Sequence, residues 1–156
     1  MKKLSAALFM VVLAITSIGC DSNGGDDETS IADLIADGWA LTSIEDAEGD
    51  QTAAFLTGFD GVDVTFTESG NFTLDVDRKA PNPDTQVTGT WAVNESQSRL
   101  TLTTDYQGIP VDLIFTYMFN GDDEIELTAA SSTGILLNTL LGTTLQGTIT
   151  ITIQRS

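Results

Sequence analysis

The chain has 156 residues, with 23 Asp and Glu against six Lys and Arg, a net charge of −17, no histidine and one cysteine. The length suits a single domain, the charge repels nucleic acid and anionic membrane surfaces alike, and a lone cysteine cannot form an intramolecular disulfide. Without histidine the chain lacks the commonest general base and the commonest neutral metal ligand, so Ser-His-Asp hydrolysis is excluded.

Lys2 and Lys3 precede an apolar run from Leu4 to Ile18, which Gly19 and Cys20 follow. A membrane-spanning helix needs about 20 apolar residues. A shorter run with a basic start and a small residue at its end reads as a secretory signal peptide over residues 1–19. The tetrad Ser17-Ile18-Gly19-Cys20 resembles the lipobox of bacterial lipoproteins. That resemblance implies cleavage before Cys20 and a diacylglyceryl group on its thiol, so the expected partner is a membrane reached through lipid on Cys20. Two or more acyl chains, at about 0.8 kcal/mol per buried methylene, suffice for stable anchoring.

Removal of residues 1–19 leaves Arg78, Lys79, Arg99 and Arg155 as the basic side chains facing all the acidic ones. The acidic residues are scattered over the expected loops, which reads as a solvated surface rather than a cation site. Residues 20–30 combine the lipidated cysteine with the polar stretch Asp21 to Ser30, too poor in apolar groups to fold, and therefore a flexible tether. Its run Asp26-Asp27-Glu28 resembles export signals that follow the lipidated cysteine in some Gram-negative groups, while Asp21 resembles the inner-membrane retention signal of others. The expected address is the bacterial cell envelope, the outer membrane first, with periplasmic and surface faces both open.

From Ile31 to Ser156 the pattern is that of one folded domain. Ser30 is placed to cap a short helix over Ile31 to Ala36, with Ile31, Leu34 and Ile35 on one face. Trp39 to Ile44 then alternates, with Trp39, Leu41 and Ser43 on one side and Ala40, Thr42 and Ile44 on the other. A connector over Glu45 to Gly61 carries Phe55, Leu56 and Phe59. Val62, Val64 and Phe66 alternate with polar residues, Ser69-Gly70 turns the chain, and Phe72, Leu74 and Val76 alternate again, the signature of a hairpin.

Pro81 and Pro83 mark a loop, since neither can donate to a strand ladder. Period-2 runs follow through Val87 to Val93, Leu100 to Thr103, Val111 to Phe119, Ile125 to Leu127, and Thr148 to Ile153. Ser131 to Gln146 interrupts the series with Ile135, Leu136, Leu137, Leu140 and Leu141. As a helix it puts Leu137, Leu140 and Leu141 on one face, suited to plugging the end of a barrel or to contacting a protein partner through Ile135 to Leu141. The expected fold is all-β: an eight-stranded antiparallel up-and-down barrel, with a two-sheet sandwich as the alternative, plus a short N-terminal helix and a short helical insertion before the last strand.

Three segments carry a further resemblance. Gly38-Trp39 opens the first strand after a short helix, Val64 to Leu74 reads Val-Thr-Phe-Thr-Glu-Ser-Gly-Asn-Phe-Thr-Leu, and Gly89 to Val93 reads Gly-Thr-Trp-Ala-Val ahead of Leu100 to Leu102. Together they resemble the lipocalin-like domains of small bacterial lipoproteins. The resemblance implies an apolar cup holding one small molecule, lined by the inward stripe Trp39, Phe66, Phe72, Trp91, Phe115, Tyr117 and Phe119. Those aromatics serve equally well as core filling, so a solid barrel with a structural or protein-binding role is the rival expectation.

Chemistry-bearing constellations are sparse. Asp75, Asp77 and Glu126 are carboxylates on strands, at positions that read as a solvated face rather than a glycosidase pair. Asp46, Glu48 and Asp50, and the run Asp122-Asp123-Glu124, bring oxygen ligands close in sequence without the twelve-residue spacing of an EF-hand loop. A non-enzymatic protein is expected, with no catalytic residue, no metal ligand and no cofactor.

Overall fold

A computed structural model describes residues 30–156. The signal-peptide segment 1–19, Cys20 and the tether up to Glu28 and Thr29 lie outside the described residues. The Ser30 hydroxyl accepts a hydrogen bond from the Asp33 backbone N–H at 3.1 Å, and the Asp33 carboxylate accepts from the Ser30 N–H at 3.3 Å. This reciprocal capping box starts α1 (Ile31–Ile35).

The elements that follow are β1 (Gly38–Asp46), β2 (Gly49–Asp50), α2 (Thr52–Phe55), β3 (Phe59–Phe66), β4 (Asn71–Arg78), β5 (Thr85–Asn94), a 3-10 turn (Glu95–Gln97), β6 (Arg99–Tyr106), β7 (Ile109–Phe119), β8 (Glu124–Ala129), α3 (Ser131–Leu141) and β9 (Ile149–Arg155). β1 and β3 through β9 each pair antiparallel with the next, and β9 returns to β1 from Trp39↔Arg155 to Glu45↔Thr150. The sheet therefore closes into an eight-stranded up-and-down barrel, and β2 is a two-residue extra strand against the end of β1. The β1–β9 pairing separates the barrel from the sandwich, and it abolishes the two outer edges at which an open sheet would invite another chain.

The local chemistry explains the turns. In the β3–β4 hairpin Phe66 pairs with Phe72 across a turn in which Gly70 adopts φ +80, a left-handed conformation that costs glycine little. Tight strand crossing has a similar demand at Gly89. A Cβ there would lie 2.0 Å from the Thr103 carbonyl oxygen and 2.7 Å from the edge of the Phe72 ring.

One strand departs from simple alternation. The β1–β9 register steps from Leu41↔Ile153 to Ser43↔Thr152, leaving Thr42 as an extra residue, and a bulge of this kind reverses the inside–outside parity beyond it. Ile44, which strict alternation places on the face opposite Trp39, is consequently fully buried. The N-terminal helix also stops one residue short of expectation, because Ala36 has already left helical geometry.

The two ends of the barrel are closed by different devices. At one end α1 covers Trp39, whose indole N–H donates to the Ile35 carbonyl at 2.9 Å. At the other end lie α2, with Phe55 stacked on Phe59 at 4.4 Å, and α3. Among the described residues no helix is long and apolar enough to cross a membrane.

Candidate functional site

The inner faces of the eight barrel strands enclose an apolar cavity of about 70 Å³. Every strand contributes to its wall: Leu41 from β1, Val64 and Phe66 from β3, Phe72 and Leu74 from β4, Val87 from β5, Leu102 from β6, Leu113 and Phe115 from β7, Leu127 from β8, and Ile151 and Ile153 from β9. Leu137 and Leu141 of α3 complete it. No polar side chain lines the space, so nothing in it would hold a water by hydrogen bonds, and a space of that character stays dry or takes an apolar guest.

Of the seven aromatic residues expected on the inner stripe, Phe66, Phe72 and Phe115 line this cavity. The other four serve the walls near the α1 end. Trp39 is fully buried beneath α1, and Trp91 packs edge-on against Phe66 at 5.5 Å with its indole N–H donating to the Thr67 carbonyl at 3.0 Å. Tyr117 meets Phe119 edge-on at 5.8 Å, with Phe119 half-buried. Burial, with a smaller contribution from Glu95, pushes the Tyr117 hydroxyl above its ordinary pKa. The cavity wall is otherwise aliphatic, and its strand residues are the inward members of each period-2 run. Period-2 patterning marked them as inward, and nothing in composition separated a lining leucine from a packed one.

The α1 end is bound shut. Arg155 holds its guanidinium 4.7 Å above the Trp39 ring and pairs with Asp37. It also donates to the Leu34 carbonyl at 3.2 Å and the Asp122 carbonyl at 2.9 Å. The Asp37 carboxylate lies below the ordinary range, chiefly because the Gly38 backbone N–H donates to it at 2.8 Å and next because of Arg155.

The α3 end is closed by packing and a few polar contacts. β8 pairs only with the second half of β7, from Phe115 to Phe119. Beside the first half, the Thr133 hydroxyl of α3 bonds to both the N–H and the carbonyl of Ile114, each at 3.2 Å, standing in for a strand neighbour. At the far end of α3 the Arg78 guanidinium donates to the Leu141 carbonyl at 2.8 Å, where a cation also suits the helix dipole. Leu137 and Leu141 are buried and Leu136 and Leu140 half-buried, while Ile135 is 66% exposed.

A second concavity of about 320 Å³ lies outside the lumen, between the β1–α2 segment and residues 142–146. Asp46 forms one wall, and its carboxylate is held below the ordinary range first by the Gln146 backbone N–H at 2.9 Å. The Glu48 N–H at 2.8 Å and the Gln51 amide at 3.2 Å lower it further. Its oxygens thus tie two loops together. Asp50 instead accepts from the Thr52 N–H at 2.8 Å at the start of α2. In the other acidic run, Glu124 accepts from Gln154 and Asn120, each at 3.0 Å. Among the described residues no three carboxylates gather where they could share a metal ion. Asp75 accepts from Gln86 across the outer face at 2.7 Å, Asp77 is exposed, and Glu126 sits opposite Met118 and Thr152 on outward-facing positions.

These features define a closed antiparallel eight-stranded barrel with an apolar lumen. No protein-family model matches the chain, and no curated protein is significantly similar to it in sequence.

Proposed function

We propose that this is a non-enzymatic, lipid-anchored protein of the bacterial cell envelope whose barrel binds a small apolar molecule. The observation that carries the ligand is the lumen itself: an unfilled space to which all eight strands contribute and which no polar group enters. Close packing is the rule in protein interiors, and an apolar space shared by all eight strands is a departure from it. The anchor rests on Lys2, Lys3, the apolar run to Ile18 and Cys20 after Gly19. The lipocalin-like pattern of Gly38-Trp39, the Val64 to Leu74 hairpin and Gly89 to Val93 agrees with both halves of the proposal.

A second reading, a barrel that is structural or binds protein, is favoured by the size of the lumen: about 70 Å³ is well below the roughly 300 Å³ at which ordinary ligand pockets begin. Membrane fractionation with uptake of a polarity-sensitive apolar dye tests the proposal. The intact chain pellets with membranes, the Cys20→Ser chain becomes soluble, and the soluble chain brightens the dye. Membrane retention of Cys20→Ser contradicts the anchor, and a silent dye transfers the lumen to the second reading.

A further inference from the structure

The concavity between the β1–α2 segment and residues 142–146 is separate from the lumen. It measures about 320 Å³ and shares no lining residue with the barrel cavity. Small-molecule sites begin at about 300 Å³, so this outer space meets the size that the lumen does not. Its character is also the reverse of the lumen's. Asp46, Glu48, Gln51, Thr144 and Gln146 supply carboxylate, amide and hydroxyl groups, beside apolar surface from Ala54 and Leu145.

The two walls are each held internally and are joined to one another. Gln146 is the joint: its N–H donates to Asp46 at 2.9 Å, its side-chain amide to Glu48 at 3.3 Å, and its carbonyl accepts from the Ala47 N–H at 3.0 Å. Gly147 permits this approach, since a Cβ there would lie 2.9 Å from the Ala47 Cβ. On one wall Asn138 accepts from the Thr143 hydroxyl at 2.7 Å and the Leu145 N–H at 2.9 Å. On the other, the Gln51 N–H donates to the Ile44 carbonyl at 2.9 Å and the Phe55 N–H to the Gln51 carbonyl at 2.7 Å. A cleft fixed in this way needs little ordering when a ligand enters, and binding keeps what ordering would have cost.

The wall chemistry narrows the guest. Among the described residues two carboxylates and no basic side chain line the concavity, so an anionic ligand is repelled. An apolar ligand would desolvate the polar groups without bonding to them. A small cation finds both Asp46 oxygens already engaged, one by the Glu48 N–H and the Gln51 amide, the other by the Gln146 N–H. What remains open is the exposed Glu48 carboxylate and the exposed Thr144 residue with its hydroxyl, groups that accept from and donate to ligand hydroxyls.

We propose that this outer concavity binds a neutral saccharide, with Glu48 and Thr144 taking ring hydroxyls and Ala54 and Leu145 meeting the C–H face of the ring. The site is independent of any guest in the lumen.

The test titrates glucose, N-acetylglucosamine, chitotriose, glucuronate and putrescine into the nitrogen-15-labelled full-length Cys20→Ser chain, read by amide chemical shifts. A neutral sugar should move amides within residues 46–58 and 142–146 and leave those of the lumen residues Leu102 and Leu113 in place. Glucuronate should bind about 10-fold more weakly than glucose, because its carboxylate meets those of Glu48 and Asp46. Glu48→Gln should keep glucose within about threefold, since the amide still accepts from a hydroxyl, and should narrow the gap to glucuronate. Gly58→Leu should block the sugars, because Gly58 lines the concavity and a Cβ there meets only the Phe55 carbonyl, at 3.8 Å. Binding of chitotriose without the single sugars supports the site and makes a glycan strand, rather than a free sugar, its source.

Putrescine binding more tightly than every sugar, and lost in Glu48→Gln, would make this a cation site and overturn the proposal. Glucuronate binding as tightly as glucose would overturn the roles given to the carboxylates. Shifts that lie elsewhere, or none with any sugar, would overturn the site itself. Should either variant fail to fold, the map of shifts and the comparison of glucose with glucuronate on the chain retaining Glu48 and Gly58 decide the matter.

Discussion

Arg155, at the end of the last strand, lies with its guanidinium 4.7 Å above the indole of Trp39, at the start of the first. The two residues are also register partners in the β1–β9 ladder that closes the barrel. The same guanidinium reaches Asp37 and the Leu34 carbonyl, so one side chain fastens barrel closure to the helix that caps it.

Arg155→Ala should therefore cost more than an ordinary surface change. It removes charge-assisted hydrogen bonds and a cation–π contact, together worth about 2–4 kcal/mol. Arg99→Ala, at an exposed position, should stay within about 0.5 kcal/mol. Urea unfolding followed by tryptophan fluorescence measures both, and equal effects would contradict the role given to Arg155.

The acid limb of stability should bear the mark of Asp37. Its carboxylate is held low first by the Gly38 N–H and then by Arg155, so it favours the folded state at any pH above its unfolded value of about 3.9. That contribution disappears as pH falls through the still lower folded value. Asp46, Asp50 and Glu124 are lowered as well and act in the same direction. Thermal midpoints measured from pH 6 downward should fall below about pH 4, and less steeply in Asp37→Asn. An identical slope in the variant would separate Asp37 from the effect.

Gly89→Ala should be severe for so small a change. The new methyl would stand 2.0 Å from the Thr103 carbonyl oxygen, which belongs to the neighbouring backbone and cannot rotate away. Overpacking typically costs 1–3 kcal/mol, and a backbone clash places this substitution at about 3 kcal/mol or more. Circular dichroism and urea unfolding give the answer, and a stability near that of the parent would mean that the β5–β6 crossing is looser than described.

Much of the architecture was legible because the physical rule behind it is local. Val62 to Phe66 and Phe72 to Val76 alternate with polar residues around Ser69-Gly70, and that pattern leaves a strand little choice of face. Ile44 resisted reading, since the bulge at Thr42 arises from pairing with β9, more than 100 residues away in the chain. Barrel closure had the same origin: nothing in the sequence marked Trp39 and Arg155 as partners across the β1–β9 ladder. At the site, the aromatic stripe drew attention to Trp39, Trp91, Tyr117 and Phe119, which build the α1 end and its walls. The cavity falls among aliphatic residues such as Leu74, Val87 and Leu102, where volume depends on how strands curve and leaves no trace in residue type. The plugging face of α3 was half visible, in that Leu137 and Leu141 face the lumen and Leu140 is only half-buried.

Leu137→Ala should open the α3 end of the lumen. Truncating a buried leucine costs about 2–5 kcal/mol and leaves a void. The variant should be destabilised within that range while gaining uptake of xenon, read by chemical shift. Destabilisation without any gain in xenon binding would mean that the surroundings collapse and the cavity is not a standing feature of the barrel.

The central claim is that the lumen carries a guest, and native mass spectrometry of the Cys20→Ser chain purified gently from its own host tests it most directly. The account predicts a reproducible added mass that organic extraction removes and whose chemistry is that of an apolar molecule. A bare polypeptide mass, repeated across preparations and unchanged after incubation with apolar probes, would contradict it.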